Sequence, residues 1–193
     1  NNIVHAGAHE LQYEIREIVE VGNNLKDMGL DVCWENIGDP VLKGEKIPSW
    51  IKSVIKEAVD IDSSFAYSPT KGLAETRAFL AEICNQRKKV QITEEDIIFF
   101  NGIGDAISKV YNYLRKEARV IGPSPAYSTH SSTEAAHAGE DHLMYKLDPE
   151  NNWLPDINDL RNKILNNKSI SGILIINPNN PAGTVYSRDV MVE

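Results

Sequence analysis

Short runs of β-branched and aliphatic residues alternate with amphipathic stretches along most of this chain, and no hairpin signal joins two runs directly. Residues 32–34, 97–100, 120–121, 143–147 and 172–176 read as strands. Between them apolar residues recur at helical spacing. Leu11, Ile15, Ile18, Leu25 and Met28 mark a first helix, which Gly29 is placed to end. Trp50, Ile51, Val54 and Ile55 mark a second, opened by Pro48. Leu73, Leu80 and Ile83 mark a third, and Ile107, Val110, Tyr111 and Leu114 a fourth. Another helical stretch runs to about Ala138, and Asp156 and Ser187 are each placed to cap a further helix. Thr93 opens a capping-box pattern just ahead of residues 97–100. Strands joined by helical crossovers run parallel and are buried on both faces, which accounts for their continuous apolar character. The expected class is therefore α/β, with a mostly parallel sheet carrying helices on both faces.

Bulk composition narrows the function classes. At 193 residues, 41% hydrophobic and 25% charged, the chain can bury a core. A net charge of −8, with Arg87-Lys88-Lys89 as the longest basic run, argues against nucleic acid as a partner. Cys33 and Cys84 form no disulfide or thiolate-metal pattern, and His130 and His137, seven apart on a helical stretch, are not read as metal ligands, so no metal site is expected. No apolar run approaches the ~20 residues that a membrane span needs, and no signal-peptide profile is present. A cytoplasmic location and no membrane partner are the expectations. Asn1 stands in place of an initiator methionine, and only about a turn of helix follows Ser187. The chain is read as a piece of a longer protein.

In an open parallel sheet, ligands bind beyond the carboxyl ends of the strands, where loops meet helix N-termini. Three unusual segments leave such ends and are expected to converge: "NGIGDAI" after Phe100, "GPSPAY" after Ile121 and "NPNNPAG" after Ile176. In the first, two glycines open a helix, so the amides near Ile103 and Gly104 form an anion site suited to phosphate. It is not the dinucleotide fingerprint, because the third glycine or alanine is missing from its required place. In the second, two prolines hold the backbone and present the flat ring of Tyr127. In the third, the side-chain amides of Asn177, Asn179 and Asn180 are held between two prolines.

Taken in order, "YEIREIV", "ENIGDP", "YSPTKGLAETRAFLA", "NGIGDAI", "GPSPAY" and "ILIINPNNPAGTVYS" resemble the amino-terminal half of a class I/II aminotransferase, a fold-type I enzyme using pyridoxal 5′-phosphate. The resemblance runs from about Leu11 to Ser187. It implies that residues 1–44 are the N-terminal helix and arm of a small domain, and residues 45–193 an incomplete cofactor-binding large domain. It further implies that the Asn180 amide donates to the phenolic oxygen of the cofactor ring, that Tyr127 stacks on the ring, and that the amides of Ile103 and Gly104 cup the phosphate. Tyr67 would cross a homodimer interface to the neighbouring protomer's phosphate, Gly38 would line the substrate side, and Arg77 is taken as structural. The implied substrates are an amino acid and a 2-oxo acid.

Two departures stand out. Gly104 replaces the hydroxyl or amide side chain that many relatives direct at the phosphate. The family's cofactor-bonding lysine lies downstream of the "NPxNPxG" segment, and none of the thirteen lysines here follows Lys168, so no catalytic residue is assigned and these 193 residues alone are expected to be inactive. Three other readings share the scaffold: a carbon–sulfur lyase or other elimination enzyme, a non-catalytic module sensing pyridoxal phosphate or amino acids, and a degenerate relative that only dimerises.

Overall fold

The computed structural model describes residues 7–8, 14–34, 38–87 and 90–193. In chain order the helices are α1 (Glu14–Asp27), α2 (Ser49–Val59), α3 (Ala74–Asn85), α4 (Ile103–Tyr113), α5 (Ser128–Ala138), α6 (Ile157–Asn166) and α7 (Arg188–Val192). The strands are β1 (Arg119–Ser124), β2 (Met144–Asp148), β3 (Leu154–Pro155) and β4 (Ile170–Ile173). Two compact units result, one from Asn1–Asp31 with Asn101–Glu193 and the other from Val32–Phe100.

The first unit holds a four-stranded sheet in the order β3-β2-β1-β4. Central β1 runs parallel to both neighbours, with Gly122 opposite Met144 and Ile121 opposite Ile173. Period-two alternation then sorts its side chains. Ile121 joins Tyr145 and Leu147 of β2 and Tyr186 in the buried core, against which Leu160 of α6 and Val190 of α7 pack. Burying Ile121 and Leu147 contributes about 2 kcal/mol each. Val120 and Gly122, one residue out of phase, border a small hollow shared with Tyr111 of α4 and with His130 and Glu134 of α5. Helices therefore cover both faces, as an α/β architecture requires.

A buried ion pair pins α5 to β1. Arg119 and Glu134 are 7% and 2% exposed, and the guanidinium donates to both carboxylate oxygens, at 2.6 and 3.0 Å. Arg119 also donates to the Glu140 carboxylate at 3.0 Å and to the Asp141 carbonyl at 2.7 Å, while Glu134 accepts the Leu143 amide at 3.2 Å. Hydrogen bonding to Glu134 raises the Arg119 pKa above its ordinary value. The sequence reading singled out neither residue.

Helix ends follow their chemistry. Past α1, Gly29 adopts φ 86°, its amide reaches the Lys26 carbonyl, and the Leu30 amide reaches that of Leu25, a Schellman closure. Asp156 caps α6 by accepting the Asp159 amide, and Ser187 caps α7 by accepting that of Val190. The expected first turn around Leu11 lies outside the described residues, as do Glu35, Asn36 and Ile37 of "ENIGDP".

In the second unit, Arg77 of α3 is 6% exposed and donates to the Gly72 and Glu94 carbonyls and to the Glu95 carboxylate. Asn85 exchanges two hydrogen bonds of 2.8 Å with the Ile92 backbone. The expected capping box forms, with Thr93 and Asp96 exchanging bonds around a 3-10 turn, Glu94–Asp96. Gly72, at φ 97°, lets the chain pass so close to Phe99 that a Cβ there would stand 2.2 Å from its ring.

The structure corrects four expectations. Residues 32–34 and 97–100 form no strand. Among the described residues no ladder forms beside either one: the Trp34 carbonyl takes the Lys43 ammonium instead, and the Phe99 amide takes the Lys71 carbonyl. The last strand ends at Ile173, three residues early, with Leu174 keeping one backbone bond to Ile121. Finally, β3 pairs antiparallel with β2, through a turn in which Asn152 and Trp153 adopt positive φ of 52° and 58°.

Glu134→Gln leaves the Arg119 charge underpaired in the interior and is expected to cost about 3 kcal/mol, read from the urea unfolding midpoint. Replacing both residues by apolar ones of similar size should cost much less. Equal losses for the two variants would contradict this assignment.

Candidate active site

Parallel pairing sends β1 and β4 to the same rim, where the Leu174 amide still reaches the Ile121 carbonyl at 2.9 Å. The loops carrying Tyr127 and Asn180 leave from there. The start of α4 also belongs to this region, since a Cβ on Gly104 would stand 4.0 Å from Thr129 Cγ2 in the first turn of α5.

Gly102 precedes α4 with φ 90° and ψ 167°, and no side chain caps the helix. The Asn101 amide donates to Asp105 at 3.2 Å, whereas the amides of Ile103 and Gly104 donate to nothing among the described residues. Two exposed donors thus sit at the positive end of an 11-residue helix dipole. Tyr127 stands at the N-cap of α5, partly buried, with its ring edge-on to His130 at 6.0 Å. Burial holds His130 below the ordinary histidine pKa, so this neighbour is a neutral ring at pH 7.

The asparagines divide their work. Asn177 accepts the Tyr186 amide at 2.9 Å through its side-chain oxygen. Asn179, 4% exposed, accepts the Ala182 amide at 3.0 Å through its side chain, and its backbone bonds Thr184 and Gly183, each at 2.8 Å. Gly183 takes φ 72° to close this turn. Asn180 is exposed, and its side chain forms no hydrogen bond among the described residues. Restraint by two prolines was expected for all three amides; two of them shape the loop and the third is left available.

The remaining candidates lie in the second unit. Tyr67 is fully exposed at 108% of its reference area, and a Cβ on exposed Gly38 would meet nothing within 4 Å. An apolar groove of about 290 Å³ runs past Tyr145, Ile173 and Met191, and a second hollow of about 360 Å³ past Lys163 and Asn167. Neither is lined by Ile103, Gly104, Tyr127 or Asn180, so what these residues offer is an open set of donors and one ring at a rim. Sequence reasoning missed Tyr145 and Tyr186: the Tyr145 hydroxyl donates to the Leu174 carbonyl, and the Tyr186 hydroxyl lies beside Asn179 of the Asn-rich loop. Their signal was the placement of one tyrosine inside a buried strand and of another just past the loop.

The profile of aminotransferase classes I and II matches residues 34–193. The chain belongs to this family. Over 193 residues it is 60% identical to an uncharacterised aminotransferase of Methanocaldococcus jannaschii, covering all of this chain and 45% of that protein. It is 30% identical over 183 residues to the glutamate-pyruvate aminotransferase of Escherichia coli, covering 94% of this chain and 44% of that one. Among solved structures, the alanine aminotransferase of Pyrococcus furiosus superposes with a TM-score of 0.85 at 28% identity, over 98% of this chain and 47% of that one. This aminotransferase chain thus spans under half the length of these relatives. Class I and II aminotransferases generally depend on pyridoxal phosphate. No helix among the described residues is long and apolar enough to cross a membrane.

The division of labour among the asparagines has a measurable consequence for stability. Asn177→Ala and Asn179→Ala each strand a backbone donor and are expected to cost about 1–3 kcal/mol in urea unfolding. Asn180→Ala is expected to stay within about 0.5 kcal/mol of the parent, as an exposed unbonded side chain should.

Proposed function

We propose that the whole protein is a pyridoxal-phosphate-dependent aminotransferase moving an amino group between an amino acid and a 2-oxo acid, with glutamate and pyruvate as the substrate class. One observation carries the reading. In a loop whose neighbouring asparagines Asn177 and Asn179 spend their side-chain oxygens on backbone amides, Asn180 is exposed with no side-chain bond among the described residues, at the rim where the Ile103 and Gly104 amides are also unbonded among those residues. The substrate class is suggested by the names of the Escherichia coli and Pyrococcus furiosus relatives.

These donors fit the cofactor's chemistry: a phosphate for a helix N-terminus, and a flat ring bearing a phenolic oxygen for Tyr127 and an amide. When bound, the cofactor supplies an electron sink that stabilises negative charge on the substrate's α-carbon. The Ile103 and Gly104 amides would hold its phosphate, Tyr127 would lie against its ring, and the Asn180 amide would donate to its phenolic oxygen. Gly104 brings no side-chain donor, so anchoring is weaker by about 1.5–3 kcal/mol than with a charge-assisted bond from that position. The fully exposed Tyr67 is available to the phosphate of a second protomer in a homodimer. Gly38 leaves room on the substrate side. Residues 1–44 are assigned to the small domain and residues 45–193 to the large one.

Full-length protein mixed with pyridoxal phosphate should develop a visible absorbance band that borohydride abolishes, and should convert glutamate and pyruvate to 2-oxoglutarate and alanine. A protein with neither band nor exchange would contradict the proposal. Tyr67→Phe should weaken cofactor retention about 3–10-fold, the scale of one hydrogen bond, while leaving the monomer fold intact.

A further inference from the structure

Three buried polar groups stand behind the loop that carries Asn180. Tyr145, Asn179 and Tyr186 are 1%, 4% and 5% exposed. The Tyr145 hydroxyl donates to the Leu174 carbonyl at 3.0 Å, on the stretch between β4 and the loop. The Tyr186 hydroxyl lies beside that of Tyr145 and beside the Asn179 amide. Neither the Tyr186 hydroxyl nor the Asn179 Nδ2 group reaches hydrogen-bond geometry with any partner among the described residues. Burial raises the pKa of both tyrosines, so both hydroxyls keep their protons at neutral pH.

Buried donors set side by side are too costly to be idle packing. These groups follow one another in order, from Asn179 through Tyr186 to Tyr145, and Tyr145 is bonded onward to the Leu174 carbonyl. That chain keys the loop to β2 and to the end of β4 at once. Asn180 follows Asn179 directly, so a shift of the Asn179 side chain moves the backbone from which the Asn180 amide projects. Loop closure has its own bonds, from Asn177, Thr184 and Gly183, and these do not involve the hydroxyls. Holding the loop shut is therefore not the hydroxyls' work.

We propose that Tyr186, acting with Asn179 and Tyr145, is a positioning residue for Asn180, setting the direction in which its amide meets the cofactor's phenolic oxygen. The inference rests on the cofactor reading given above. Donation from Asn180 favours the ionised oxygen, so a misdirected amide raises the pH midpoint of the cofactor's absorbance change.

The test uses the full-length protein loaded with pyridoxal phosphate. Tyr186→Phe, which removes one oxygen and keeps the ring, should raise that midpoint and weaken cofactor binding about 3–10-fold. In an Asn180→Ala background the same substitution should no longer move the midpoint, because the group it acts through is gone. Tyr145→Phe reads the chain one step further back and should shift the midpoint in the same direction, which keeps the test open if Tyr186→Phe folds poorly. An unmoved midpoint in both tyrosine variants, or midpoint shifts that add fully in the double variant, would overturn the proposal. A parent protein that binds no cofactor would instead overturn the functional reading itself.

Discussion

Parallel pairing of β1 with β4 is the constraint on which the rest of the first unit depends. Because the two strands run the same way in register, from Ile121 opposite Ile173, their outgoing loops must leave one rim. Ile103, Gly104, Tyr127 and Asn180 all sit on those loops or on the helix start beside them. Had β4 entered antiparallel, Asn180 and Tyr127 would lie at opposite ends of the sheet, and no single ligand could meet both.

The pairing needs support from outside the ladder. α5 starts at Tyr127's shoulder, and its far half is held to the head of β1 by the Arg119–Glu134 fork. Such a pair is a weak source of stability, since desolvating two charges offsets much of their attraction. Its value lies in specificity: a bidentate fork accepts one geometry, and that geometry fixes where the first turn of α5, with Thr129 facing Gly104, comes to rest. Precision at the rim is thus delivered from the opposite end of the helix.

Much of this was legible in the residues. Ile121, Leu143 and Leu147 announced buried strands, Gly29, Asp156 and Ser187 announced helix ends, and the Asn-Pro pairs announced a built loop. Three kinds of feature were not. Strand character at residues 97–100 depends on a neighbour to pair with, and local propensity is silent on whether one is there; Ile98 and Phe99 are 50% and 42% exposed. The β3 hairpin turns on Asn152 and Trp153 at positive φ, a backbone state that a tryptophan does not advertise. The partners of Arg119, Tyr145 and Tyr186 lie 15, 29 and 9 positions away along the chain, distances over which no periodicity carries information. In the candidate site, spacing revealed which amides were restrained, and coordinates were needed to separate the two that shape the loop from the one left free.

The central claim is that one rim gathers the donors for a phosphorylated pyridine. A crystal structure of the full-length protein with pyridoxal 5′-phosphate tests it most directly. The account requires the phosphate on the Ile103 and Gly104 amides, with Tyr127 against the ring and the Asn180 amide within hydrogen-bond reach of the phenolic oxygen. A cofactor bound elsewhere, or a ring whose phenolic oxygen meets no amide of this loop, would contradict it.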